Sequence, residues 1–249
     1  MHEKILIVAA HPDDEVFGCG GTIAKLVKED RAEVYLLVLG DGVTSRSYYP
    51  GISNVKERKL SSAKIVRRQK EMRRAAGILG IKPDRIKYCG YPDQRFDAVS
   101  ILALIKEIEQ VKNDFAPEKV FTHHWGDLNR DHRIAYEATI TAFRPKFGDK
   151  KKAEILCYEI PGNMDILQPL STNRFRPDVL VDITGTIGKK IEAVKAYESE
   201  WNDAGPLSVE GLISNAKKRA GKGKNKMVES FVRQNISAGQ RSNGGVYEQ

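Results

Sequence analysis

The stretch ILIVAAHPDDE, Ile5 to Glu15, decides the fold. Its first five residues are apolar without a break, which is the pattern of a strand buried on both faces of a parallel sheet. The strand then delivers one imidazole and three carboxylates beyond its carboxyl end, where open α/β sheets bind their ligands. Because burying that much charge without a metal or a partner is very costly, the stretch points to a ligand site.

A second polar cluster, HHWGDLNRDHR from His123 to Arg133, follows the strand-like run Lys119 to Thr122. The two clusters hold four of the five histidines, and two strand ends carrying His and Asp can converge on one divalent ion. Catalytic zinc usually takes three protein ligands and keeps one position for water. Since adjacent aspartates point in different directions, one of Asp13 and Asp14 can bind the metal while the other faces the water. His132 is the best candidate for the third ligand. The pattern predicts a mononuclear metal hydrolase that uses Zn2+, with Fe2+ as the alternative ion.

The rest of the chain alternates strand and helix patterns. Apolar runs predict strands at 5–9, 34–39, 86–89, 119–122, 155–160 and 179–183, and helical spacing predicts helices at 18–28, 59–79, 100–111, 131–142 and 187–197. This order predicts an α/β, Rossmann-like, three-layer, doubly wound fold, with a mostly parallel sheet and helices on both faces. We expect a single domain over 1–249. Residues 198–249 leave the alternating pattern, so we expect them to form a C-terminal extension that packs on the domain or joins a homo-oligomer interface.

Composition narrows the class of protein. No apolar run approaches the roughly 18 residues that span a membrane, and three cysteines without metal-ligand spacing favour a reducing cytoplasm. The net charge is +8, and much of it lies in the basic stretch Lys217, Lys218, Arg219, Lys222, Lys224 and Lys226. Little aromatic interleaving argues against nucleic-acid binding. We expect this stretch to be a solvated loop, with binding of a phosphate- or nucleotide-linked substrate as the alternative.

The segments AHPDDEVFGCGGTIAKL and GDLNRDHR resemble the LmbE-like, or PIG-L, family of zinc-dependent N-deacetylases. RRQKEMRRAAGILG and GYPDQRFD, which contain Arg68 and Asp93, add weaker support. The resemblance covers most of the chain. It implies a Rossmann-like fold and hydrolysis of an N-acyl group, usually from a sugar amine.

The resemblance also implies roles for individual residues. His11, Asp14 and His132 correspond to metal ligands, and Asp13 to the general base that takes a proton from the attacking water. Many members carry a histidine three residues before the last ligand, where this chain has Asn129. An Asn amide can donate a hydrogen bond to an oxyanion but cannot act as a general acid, so Asp13 would handle both proton transfers.

Other residues carry two readings each. Asp131 orients a ligand histidine as an outer carboxylate or caps the following helix. The resemblance implies that Arg68 and Asp93 contact substrate. The alternative for Arg68 is a surface charge on a helix, and the alternative for Asp93 is a turn residue. His123 and His124 are further candidates for substrate contact.

Three functions remain open at this point. The first is a metal-dependent hydrolase that removes an N-acetyl group from an N-acetylglucosamine-type amino sugar. The second keeps the metal and acts on the amide of a non-sugar metabolite. The third is a non-catalytic protein that binds a sugar nucleotide. Asp13 favours a hydrolase, because a binding protein has no need of a second carboxylate beside a ligating Asp14.

Overall fold

The buried apolar runs form the central strands of one sheet. A computed structural model describes residues 2–46, 55–145, 152–163, 174–200, 203–221 and 226–234, without the side chains of 46 and 55–60. The described strands are β1 Lys4–Ala9, β2 Glu33–Gly40, β3 Ile86–Tyr91, β4 Lys119–His123, β5 Glu154–Tyr158, β6 Val179–Asp182 and β7 Val228–Gln234. The described α-helices are α1 Asp14–Lys28, α2 Val55–Leu79, α3 Ile101–Phe115, α4 Arg130–Ala142, α5 Ile187–Lys195 and α6 Val209–Ala220.

The strand order creates a crevice at the carboxyl end of β1. The sheet runs β3-β2-β1-β4-β5-β7-β6, and the first five strands of this order are parallel. The chain leaves β1 toward β2 on one side, whereas β4 lies on the other side. The connections therefore diverge between β1 and β4, and this divergence opens the position where doubly wound sheets bind ligands.

Helices cover both faces of the sheet, so the predicted three-layer α/β fold is confirmed. Alternate residues of β1 point into two separate cores: Ile5 and Ile7 join the core beneath α1, α2 and α5, and Leu6 and Val8 join the core beneath α3 and α4. All four side chains are fully buried. This two-sided burial explains the unbroken apolar sequence of the strand.

Helix α1 begins at Asp14, four residues before the predicted start, because the chain turns at Asp13 directly after the strand. Its glycines serve close packing. A Cβ on Gly18 would lie 2.3 Å from the Tyr158 ring, and one on Gly21 would lie 2.6 Å from Ile183. These close contacts explain why positions 18 and 21 are glycines.

Two elements were not predicted. Helix α6 and strand β7 both lie within residues 198–249, and β7 is antiparallel to β5 and β6, between which it lies. The basic stretch was predicted as a loop, which is wrong for Lys217, Lys218 and Arg219. These three residues form the last turn of α6, where positive charge is favourable. Lys222 and Lys224 lie outside the described residues.

The described helices include none that is both long and apolar enough to cross a membrane. The single-domain assignment, a homo-oligomer and a cytoplasmic location stay predictions.

Candidate active site

The turn after β1 sets up the site. The main-chain N–H of His11 donates to Asp14 Oδ2 at 2.7 Å, which folds the chain back at once. Asp13 takes φ 117° and ψ −25°, a backbone conformation that residues other than glycine rarely adopt. Its main-chain N–H donates to Glu15 Oε2 at 3.1 Å. The turn therefore holds the Asp13 backbone in strain, directly beside Asp14.

His11, Asp14 and His132 come together at the carboxyl ends of β1 and β4. One potential ligand atom of each lies within 4.8 Å of the others. His132 Nε2 is 3.3 Å from Asp14 Oδ1, and His11 Nδ1 is 3.6 Å from Asp14 Oδ2. All three residues are buried, so their charges have little access to water. These are the three residues that the family resemblance matches to metal ligands.

Each of the two imidazoles has a carboxylate on its other nitrogen. His11 Nε2 lies 3.1 Å from Asp131 Oδ2 and 3.1 Å from Asp93 Oδ1. His132 Nδ1 lies 3.1 Å from Asp127 Oδ2. A carboxylate in this position fixes the imidazole tautomer and leaves the inner nitrogen free to bind a metal. The group therefore fits a divalent cation in its donor atoms and in the partners of those donors.

The electrostatics of the group favour positive charge at its centre. Burial would raise the pKa of Asp14, but His132 and His123 lower that pKa well below its usual value. Burial would likewise lower the pKa of His132, yet Asp14 and Asp127 raise it to about 9. The carboxylates thus stabilise a positive charge at this position, and a bound cation is one source of such a charge.

Asp13 differs from its neighbour in environment. Burial and the negative charge of Asp14 raise the pKa of Asp13 well above its usual value, although Arg68 opposes that shift. A raised carboxyl pKa brings the group closer to neutral pH, where a general base is most effective. Two adjacent carboxylates whose pKa values move apart can take different roles, one as ligand and one as base.

A pocket of about 220 Å3, the main pocket, gives access to the group. Its wall includes Asp13, Asp93 and Asn129, together with apolar surface from Phe17, Ile160 and Leu207. A second pocket of about 400 Å3, the side pocket, adjoins it, and Gly42 and Glu200 line both. The side pocket also includes Lys64, Arg67 and Arg68.

Asn129 caps helix α4. Its side-chain oxygen accepts from the main-chain N–H of Asp131 at 2.9 Å, so the cap is Asn129 and not Asp131. The carboxylate of Asp131 is instead shared between His11 and the main-chain N–H of Phe96, at 3.1 Å each. Asp131 therefore lies where it can orient His11, which was one of the two roles predicted for it.

Arg68 is not a surface charge, because only 3% of its side chain is exposed. It donates to Asp13 Oδ2 at 2.9 Å and to the carbonyl oxygen of Pro12 at 3.2 Å, and it also pairs with Glu200. Asp93 likewise is not free to face substrate with both oxygens, since Oδ1 is near His11 and Oδ2 accepts from Ser45 at 2.5 Å.

His123 and His124 do not line the main pocket, and both are fully buried. His123 Nε2 accepts the main-chain N–H of Ala10 at 3.0 Å and lies 3.3 Å from Asp14 Oδ2. His124 stacks on Trp125 with ring centroids 3.8 Å apart. Both rings thus lie outside the lining of the main pocket, and their contact with substrate stays a prediction.

Sequence reasoning missed four residues of the site: Ser45, Asp127, Tyr197 and Glu200. Asp127 stands five residues before His132 within the quoted GDLNRDHR, and an acidic residue so close to a ligand histidine is the available signal. Ser45, Tyr197 and Glu200 are distant in sequence from the residues that they contact. No local pattern identifies them.

The fold and the site define a class: an α/β protein whose parallel strands end at a buried His–Asp group that fits a divalent cation. Residues 6–143, more than half of the chain, match the family model described as PIG-L, GlcNAc-PI de-N-acetylase. The chain therefore belongs to the PIG-L family.

Three known proteins illustrate the range of this likeness. Diacetylchitobiose deacetylase of Thermococcus kodakarensis is 27% identical over 206 residues, which cover 80% of this chain and 70% of the relative. The structure of N,N'-diacetylchitobiose deacetylase from Pyrococcus horikoshii covers 93% of this chain and 84% of its own, with TM-score 0.68 and 22% identity. The 4-carboxy-2-hydroxymuconate hydratase GalB of Pseudomonas putida covers 98% of this chain and all of its own, with TM-score 0.67 and 21% identity. Since this fold also occurs in a hydratase, the reaction has to be argued from the site.

Proposed function

We propose that this chain is a zinc-dependent N-deacetylase that removes an N-acetyl group from an amino sugar of the N-acetylglucosamine type. The observation that carries the proposal is the buried group of His11, Asp14 and His132, with Asp13 beside it in the same pocket. A hydrolase needs both parts, whereas a protein that only binds a ligand does not need the second carboxylate.

His11, Asp14 and His132 would hold the zinc ion, one ligand atom from each. A zinc ion there would supply Lewis-acid chemistry, which polarises a carbonyl and makes water more acidic. Asp131 and Asp127 would keep the two imidazoles in the tautomer that binds metal, since each lies 3.1 Å from the outer nitrogen of its histidine.

Asp13 would perform both proton transfers. It takes one proton from the water that attacks the amide carbonyl carbon, and it delivers that proton to the amine nitrogen when the C–N bond breaks. The products are acetate and a free amino sugar, and Asp13 ends in its starting state. Asn129 in the same pocket cannot transfer a proton, so the proposal assigns both transfers to Asp13.

Asn129 would contribute a hydrogen bond to the developing oxyanion. Its Oδ1 is already used by the main-chain N–H of Asp131, so the amide NH2 is the group left for the pocket. A positioned donor of this kind stabilises negative charge that appears only during the reaction.

The substrate class rests on the family and on the pockets. The family model is described as GlcNAc-PI de-N-acetylase, and the Thermococcus relative is a diacetylchitobiose deacetylase. The main pocket of about 220 Å3 is small for a ligand site, so the rest of the substrate would extend into the side pocket. A phosphate- or nucleotide-linked amino sugar stays a candidate. None of the described residues of the basic stretch 217–226 lines either pocket, so that stretch gives this candidate no support.

The test is release of acetate from a panel of N-acetyl amino sugars: the free sugar, a disaccharide and a phosphate-linked form. Wild type loaded with zinc is compared with Asp13→Asn and with the control Asp97→Asn, which makes the same chemical change at an exposed carboxylate. We expect release by wild type and by the control, and a loss of at least about a hundredfold in Asp13→Asn. Release only from N-acyl substrates that are not sugars would move the function to a non-sugar amidase, and full activity of Asp13→Asn would refute the base assignment.

A further inference from the structure

We propose that residues 197–200, which lie outside the part of the chain that matches the family model, position the general base Asp13. This inference rests on the proposed function for its kinetic consequence. The segment holds Asp13 through two arms. One arm runs from Tyr197 through Glu15 and the other from Glu200 through Arg68.

The first arm acts on the Asp13 main chain. Tyr197 donates its hydroxyl hydrogen to Glu15 Oε1 at 2.5 Å, and Glu15 Oε2 accepts the main-chain N–H of Asp13 at 3.1 Å. Tyr197 and Glu15 are both fully buried. Because each Glu15 oxygen has one of these two partners, the tyrosine fixes the rotamer in which Glu15 reaches Asp13.

The second arm acts on the Asp13 carboxylate. Arg68 Nη1 donates to Asp13 Oδ2 at 2.9 Å, while Nη2 of the same guanidinium pairs with Glu200 Oε1. The guanidinium carbon also lies 5.9 Å from the centre of the Tyr197 ring. Contacts with residues 197–200 thus orient the planar guanidinium, and the guanidinium in turn holds the Asp13 carboxylate.

The segment itself is fastened to helix α2. The main-chain N–H of Ser199 donates to Glu71 Oε1 at 3.1 Å, and the Ser199 hydroxyl donates to Glu71 Oε2 at 2.5 Å. Glu71 is buried and lies three residues after Arg68 on the same helix. These contacts join residues 197–200, helix α2 and the turn after β1 into one hydrogen-bonded unit.

Asp13 needs such support because of its backbone. A φ of 117° is unfavourable for an aspartate, and the conformation persists only where the surroundings impose it. Main-chain N–H groups of α1 hold the Asp13 carbonyl, and the His11–Asp14 hydrogen bond closes the turn. Glu15 and Arg68 hold the Asp13 N–H and carboxylate, and both of those side chains contact the 197–200 segment. Loss of one arm is therefore expected to let the turn relax and to move the carboxylate away from its working position.

The test variant is Tyr197→Phe, which removes one hydroxyl and keeps the ring. The control is Tyr35→Phe, since Tyr35 packs on Phe115 in the first half of β2, away from the carboxyl ends of the strands. We expect kcat of Tyr197→Phe to fall about tenfold while KM and bound zinc stay unchanged, and we expect no effect in the control. Glu15→Gln should lower kcat similarly, and the double variant should be no worse than either single variant, because both act along one arm.

A crystal structure of Tyr197→Phe beside that of wild type gives a readout that does not depend on activity. We expect Asp13 to leave the positive-φ conformation or its carboxylate to shift by about 1 Å. An Asp13 that superimposes in the two structures overturns the inference, as does a double variant whose losses multiply. If wild type releases no acetate from any sugar, the proposed function fails, and the two crystal structures still decide whether residues 197–200 position Asp13.

Discussion

Replacing Asp127 by Asn should weaken zinc binding through the His132 tautomer. Asp127 is fully buried, and its Oδ2 lies 3.1 Å from His132 Nδ1. Its Oδ1 accepts the main-chain N–H of Asn129 at 2.8 Å and the side-chain amide of Asn163 at 3.1 Å. In Asp127→Asn those two donors still require an oxygen, so the new NH2 group has to point at His132. An NH2 group donates to Nδ1 and drives the imidazole proton onto Nε2, the nitrogen that faces Asp14.

The size of the effect follows from that change. Outer carboxylates of ligand histidines typically contribute 10- to 100-fold to metal affinity, which corresponds to roughly 1.4–2.7 kcal/mol. We expect a loss in the upper half of this range, because the substitution replaces the carboxylate oxygen that faces Nδ1 with a hydrogen-bond donor and does not merely remove it. Loss of the negative charge of Asp127 would by itself also weaken zinc binding, but by a smaller factor.

The assay is competition for zinc against a chromophoric chelator, with wild type, Asp127→Asn and Asp97→Asn compared at one pH and ionic strength. Asp97 is exposed and pairs with Arg130, so the control makes the same substitution on the same side of the sheet without touching a histidine. Circular dichroism establishes that all three proteins are folded. Zinc affinity in Asp127→Asn within twofold of wild type would refute the tautomer argument.

Two further predictions concern stability. Lys190→Met breaks a buried ion pair in which Lys190 Nζ lies 2.6 Å from Glu229 Oε1, and it should lower the free energy of unfolding by about 3 kcal/mol in urea titrations. The control Lys226→Met breaks an exposed ion pair with Asp182 and should change the free energy of unfolding by less than about 1 kcal/mol. Equal losses in the two variants would contradict this. Burial lowers the pKa of His124 from 6.5 to about 4, so the unfolded chain binds a proton at His124 at a higher pH than the folded chain does. The contribution of neutral His124 to the free energy of unfolding is therefore complete above pH 6.5 and is lost as the pH falls toward 4. His124→Asn keeps an acceptor for the main-chain N–H of Gly126 but does not titrate, so the variant should lose less stability than wild type between pH 7 and pH 5, and an equal loss would refute the assignment.

The candidate ligand residues could be predicted from sequence because they follow strands that the sequence reveals. An unbroken apolar run gives the strand, and the polar residues that follow it lie at its carboxyl end by chain connectivity alone. His11 and Asp14 meet this condition. His132 lies further from its strand, in the first turn of α4, and belongs to the polar cluster that follows β4. The structure brings the three residues together. Their roles as metal ligands stay a proposal until a bound metal is measured.

The supporting residues could not be predicted in this way. Glu15 and Tyr197 are far apart in the chain, and their hydrogen bond depends on how α5 ends against α1. Strand β7 was not predicted because its sequence VESFVRQ carries several polar residues, of which Glu229 and Ser230 are buried. Glu229 accepts from the main-chain N–H groups of Gly21 and Thr22. Burial of a paired carboxylate is a property of the tertiary structure, so a hydropathy pattern does not reveal it.

The measurement that tests the central claim most directly is the zinc content per chain of wild type, His132→Ala and Asp13→Asn, by elemental analysis after zinc is supplied and excess is removed. We expect about one zinc ion per chain in wild type and in Asp13→Asn, and much less in His132→Ala. A wild type without zinc, or a His132→Ala variant that keeps the full amount, would contradict the proposed metal site.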